Sequence, residues 1–170
     1  MTIAPTLRAF LGFVAGALAV LTFHQGMVTA LHLAALTTGV AYRIMPVPPF
    51  GVPSVVSLSF WGGLYGALFG LMSPRLKLPL WLCGIGIGLV AALVSMIVVA
   101  PLKGNAIVYG WAAWPIGRSL LINGVWGLGL GLILPLLWPR SWDKTSGRQV
   151  TGSDAAENAA TGAVGRNPAT

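Results

Sequence analysis

From its first residue to Arg140 the chain contains no aspartate and no glutamate; its three acids, Asp143, Asp154 and Glu157, all follow the last apolar segment. A water-soluble domain draws about a quarter of its residues from the charged set, partly so that cations find partners. Here 8% of 170 residues are charged and 56% hydrophobic, with a mean hydropathy of +0.83. Too much apolar surface remains for a soluble core of this size to hide, so the expected fold class is an all-α integral membrane protein. The formal charge of +7 is then a topology signal. Basic residues scattered singly at segment ends do not make a nucleic-acid footprint.

Four runs are long and apolar enough to span, at roughly 20 residues each: about 9–35, 54–73, 79–100 and 117–138. The last three stop at Ser73-Pro74-Arg75, Pro101-Leu102-Lys103 and Trp138-Pro139-Arg140. In each stop a proline cannot continue the backbone ladder and a cation reaches for the headgroups. Residues 1–140 are therefore read as a four-helix transmembrane domain. Residues 141–170, rich in Ser, Thr, Gly, Ala and Asn with no aromatic after Trp142, cannot bury enough surface to fold and are read as a disordered tail.

Sorting the cations by side places Arg8, Arg75, Lys77, Arg140, Lys144, Arg148 and Arg166 on one face, against Arg43, Lys103 and Arg118 on the other. The positive-inside rule then predicts both termini in the cytoplasm of a bacterial inner membrane, with 37–53 and 101–118 facing outward. Arg8, the apolar run and Ala17-Leu18-Ala19 also imitate the three regions of a secretory signal peptide.

Against that reading stands an internal repeat. Residues 54–75 recur without a gap at 119–140, with seven identities in 22 positions at an offset of 65, Trp61-Gly62 matching Trp126-Gly127 and Pro74-Arg75 matching Pro139-Arg140. A duplicated two-helix hairpin requires a helix before each copy, and two hairpins running the same way through a bilayer predict a pseudo-two-fold axis along its normal.

Small residues four apart occur in every span: Gly12 and Gly16; Gly62, Gly66 and Gly70; Gly84 and Gly88; Gly127 and Gly131. That spacing allows close backbone approach, within one bundle or in a homo-oligomer. Polar residues gather toward the outer halves. Thr22, Gln25, Thr29 and His32 share one stripe of the first span, with His24 about 100° around from Gln25. Ser54, Ser57 and Trp61 follow on the second span, and Ser119, Asn123 and Trp126 on the fourth. These groups either knit helices together or line an outward-facing polar vestibule of His24, Gln25, Thr29, His32, Ser57, Ser119 and Asn123, rimmed by Arg43 and Arg118. Gln25 is expected to bond the second or fourth span, with Asn123 its partner.

His24 and His32, eight apart with no Cys, Asp or Glu beside them, do not make a zinc shell, and no other span offers a histidine for haem. No metal or cofactor is expected, and the lone Cys83 is read as a small packing residue. The four prolines of Met45–Pro53 predict a stiff connection, and the aromatic-rich Asn105–Pro115 an interfacial segment.

Phe23-His24-Gln25-Gly26, Pro48-Pro49-Phe50-Gly51-Val52-Pro53 and Ser59-Phe60-Trp61-Gly62-Gly63 resemble small four-helix bacterial inner-membrane proteins over about residues 8–140. The resemblance implies this topology and no activity. With no nucleophile and base, acid pair or phosphate-binding loop, an enzyme ranks third. First stands a non-enzymatic accessory subunit that meets the bilayer and a membrane-protein partner or a second copy, and the alternative is a small-solute carrier or binding protein using the vestibule.

Overall fold

The structure is a computed structural model that describes residues 4–47 and 51–138. The tail 141–170, the Pro139-Arg140 stop and Pro48-Pro49-Phe50 lie outside those residues. The chain is mostly helical, and four helices are long and apolar enough to cross a membrane: α1 Pro5–Leu33, α2 Ser54–Arg75, α3 Leu80–Leu102 and α4 Ala113–Leu137. Proline starts three of them. Pro5 opens α1, while Pro53 and Pro79 immediately precede α2 and α3 with extended backbone, where a fixed φ and a missing N–H fit a helix entrance. The first free N–H groups of α2 are taken by the connection before it, Ser54 N–H by Met45 O and Val55 N–H by Arg43 O, both at 3.0 Å.

α1 lies along α2, and α3 along α4. Glycine makes both contacts. A Cβ on Gly66 would fall on the Gly12 carbonyl oxygen and 2.9 Å from Gly16 Cα, and one on Gly16 would fall on Gly62 O. In the other pair a Cβ on Gly127 would fall on Gly84 O and 3.0 Å from Gly88 Cα, and one on Gly131 on Leu80 O. Gly62 and Gly66 thus stand to Gly16 and Gly12 as Gly127 and Gly131 stand to Gly84 and Leu80. Only glycine allows backbones this close over several turns.

Between the pairs the contacts are unequal. α1 meets α4, whereas α2 and α3 barely touch. Trp126 on α4 is 3% exposed, donates Nε1–H to Gly16 O at 3.1 Å and stands edge-on to Tyr65 at 6.2 Å. The Phe23 ring of α1 occupies the space a side chain at Gly129 would need. Trp61, at the matching position of the other pair, is instead 58% exposed. The two-fold relation expected from the repeat therefore does not extend to the contacts between pairs, because one tryptophan is an interhelical wedge and its counterpart faces outward.

Buried positions are mostly small, among them Ala15, Ala19, Ala92 and Ala100, with Leu130 and Leu134 the largest fully buried side chains among the described residues. Leu68, Leu93 and Leu136 lie on the outside. Both α1 and α3 contain a widened π-turn, Val20–His24 and Ser95–Val99.

α1 and α3 end in the same way. Leu36 N–H reaches back to Leu31 O and Ala35 N–H to His32 O; Asn105 N–H reaches Ala100 O and Gly104 N–H reaches Pro101 O. The reversing residue is left-handed in each, Gly104 at φ 77° and Ala35 at φ 57°. This cap ordinarily takes glycine, so Ala35 holds it under strain. Beyond Ala35 the chain runs through Tyr42, also left-handed, into a two-residue antiparallel ribbon pairing Pro46–Val47 with Val52–Pro53. Ile107–Trp111 forms a tight turn whose Val108, Tyr109, Gly110 and Trp111 all have positive φ.

Candidate functional site

The end of α1, its strained cap and the start of α4 enclose an open concavity of about 620 Å³ walled by His32, Ala35, Leu36, Thr37, Thr38, Trp114 and Arg118. Thr37 is its centre. Its Oγ1 accepts from Arg118 Nη1 at 2.9 Å and from its own turn's Gly39 N–H at 3.1 Å. Its carbonyl lies 3.2 Å from His32 Nδ1. A carbonyl only accepts, so Nδ1 carries a proton and the imidazole is oriented by that bond. The left-handed Ala35 turns the chain back far enough for Thr37 to meet both residues.

Of the nine residues proposed from the sequence, His32 and Arg118 meet here. The other seven lie elsewhere. Gln25 is 3% exposed, but its Oε1 accepts Tyr42 N–H at 3.0 Å rather than bonding Asn123. Asn123 Nδ2 turns back along its own helix to Ser119 O at 2.9 Å, and Thr29 Oγ1 does the same to Gln25 O, also at 2.9 Å. The expected Gln25–Asn123 bond is replaced because the connection after α1 folds over that helix and supplies a nearer donor. Ser119 is buried. Ser57 sits on α2, which contributes nothing to the concavity. Arg43 is exposed with Nη2 3.1 Å from Met45 Sδ. His24 occupies the π-turn of α1, its Nδ1 enclosed without a partner among the described residues.

The residues missing from the sequence reading are Thr37, Thr38, Trp114 and Tyr42. Tyr42 straps the connection down at two points, through the N–H taken by Gln25 and through Oη–H to Leu21 O at 2.7 Å. That carbonyl lies inside the π-turn, where Gln25 N–H reaches back to Val20 O. Thr37-Thr38-Gly39 directly after an apolar run is a turn signal that could have marked the site. Nothing in the sequence announces a left-handed tyrosine.

Replacing Gln25 by leucine removes the acceptor of the Tyr42 N–H and should lower stability by about 1 kcal/mol, the usual net worth of one hydrogen bond. Asn123→Leu, losing only a bond along its own helix, should move the unfolding midpoint less. Thermal unfolding of both variants in one detergent checks the order, and equal losses would contradict it.

Among the described residues no three His, Cys, Asp or Glu come together as a metal site would need. Comparisons with protein-family models, with curated proteins and with solved structures found no match to this chain.

Proposed function

We propose that this is a non-enzymatic multi-pass protein of a bacterial inner membrane that holds a small polar solute or headgroup in an outward-facing vestibule. The observation that carries the reading is the concavity itself. It joins His32 and Arg118, 86 positions apart in the sequence, through Thr37, at the end of the bundle that the cation count assigns to the outside. Four apolar helices with large apolar side chains outward and small ones inward support insertion into lipid.

We also read the bundle as two tandem hairpins from a duplication, with both termini cytoplasmic. The matching backbone register supports the duplication, since the contacts of Gly12 and Gly16 recur at Leu80 and Gly84 while those of Gly62 and Gly66 recur at Gly127 and Gly131. Ile107 and Trp111, 55% and 77% exposed on a strained turn, favour the second reading, an accessory subunit whose partner covers that turn.

The test is chemical access. In a Cys83→Ala background, Thr38→Cys should react in intact cells or spheroplasts with a membrane-impermeant maleimide. Reaction only after the membrane is opened, or none in detergent either, would overturn the vestibule.

A further inference from the structure

We infer that this vestibule, if it binds as proposed above, selects an anionic oxygen group, a phosphate or a carboxylate, with Arg118 and Thr37 as its donors. The described residues contain no Asp or Glu, so no protein carboxylate among them balances the half-buried Arg118 guanidinium. Of its five N–H donors one goes to Thr37 Oγ1, which leaves a planar fork suited to two oxygens of one anion. Thr37 Oγ1 already accepts twice, from Arg118 and from Gly39 N–H. A hydroxyl has two lone pairs and one proton, so what Thr37 still offers is its O–H. His32 has Nδ1 committed to the Thr37 carbonyl, which fixes the wall.

The Arg118 fork and the Thr37 O–H are thus left to donate, and a ligand that carries acceptors and negative charge satisfies them. Of the remaining walls Thr38 is polar, while Ala35, Leu36 and Trp114 are apolar and would pack against the body that carries the anion. A cavity of about 620 Å³ falls in the range of small-molecule sites. The same chemistry could be presented by a free phosphate or carboxylate from outside or by the phosphodiester of a lipid in the outer leaflet.

The experiment uses the full chain, purified in a neutral detergent and separately in nanodiscs. The detergent arm titrates inorganic phosphate and acetate against chloride at matched ionic strength, following the thermal unfolding midpoint. The nanodisc arm compares phosphatidylglycerol with phosphatidylcholine by native mass spectrometry of retained lipid. A saturable rise with phosphate or acetate identifies a free anion, and selective retention of phosphatidylglycerol identifies a headgroup. In either case Arg118→Gln should weaken binding about tenfold or more, as expected for loss of a charge-assisted pair. Thr37→Val should weaken it less, and Arg43→Gln, a cation outside the concavity, should leave it unchanged.

No binding of any probe overturns the inference, and so does equal binding by Arg118→Gln. Labelling at Thr38→Cys together with no anion binding would sink the anion alone and spare the vestibule. Failure of both would sink the two together.

Discussion

Gly66→Ala should lower the stability of the detergent-solubilised protein by about 2 kcal/mol or more, although alanine is the better helix former by up to about 1 kcal/mol. The added Cβ falls on the Gly12 carbonyl oxygen and lies 2.9 and 3.0 Å from Gly16 Cα and N. All three neighbours are backbone, so no side chain can turn aside and α1 must move away from α2. In a bilayer the lipid tails are as apolar as the helices, and close packing carries much of the association free energy. Separating the pair therefore loses contact along several turns. Gly86→Ala is the control: it lies on α3, and a Cβ there meets nothing within 4 Å, so this change should be neutral or slightly stabilising. Unfolding by titrated dodecyl sulfate compares the two directly, and equal midpoints would show that the glycine contact does not hold the pair.

Trp126→Ala should cost about 3 kcal/mol, near the low end for removing a buried aromatic, because lipid supplies no hydrophobic gain for refilling the space. Three contacts go at once: the bond to Gly16 O at 3.1 Å, the edge-on contact with Tyr65 at 6.2 Å and the wedge that joins α4 to the first pair. Trp126→Phe keeps the ring and loses the donor, which should account for about 1 kcal/mol of the total. Trp61→Ala, at the repeat-matched but exposed position, should cost less than about 0.5 kcal/mol. If Trp61→Ala proved as damaging as Trp126→Ala, the asymmetry between the two pairs would be wrong.

The four helices were legible because each is a long apolar run, the last three closed by proline and a cation, and such runs leave the backbone no other way to satisfy itself in lipid. The starts of α1 and α4 were not. Pro5 and Trp114-Pro115 permit helix further out than hydropathy alone suggests. At the site, helical spacing brought Gln25, Thr29 and His32 onto one face of α1 but could not say what would cover that face. The answer lies in Ala35 and Tyr42, two residues at positive φ without glycine, whose turns carry Thr37 to Arg118 and Tyr42 N–H to Gln25. Backbone strain of that kind is set by the tertiary fold and leaves no mark in composition or periodicity. A polar group in a span needs a partner, and for Asn123 its own helix supplies one in Ser119 O, a bond that spacing alone does not distinguish from one across the bundle.

The concavity draws its walls from the connection after α1 and from the start of α4, so those two segments must lie on the same side of the membrane. Reporter fusions at Arg43, at Lys103 and after Arg140 measure this most directly. Periplasmic signals are expected from Arg43 and Lys103 and a cytoplasmic signal from the fusion after Arg140. Signals from Arg43 and Lys103 on opposite sides would contradict the four-span bundle and the vestibule with it, and a full reversal of all three would place the site in the cytoplasm.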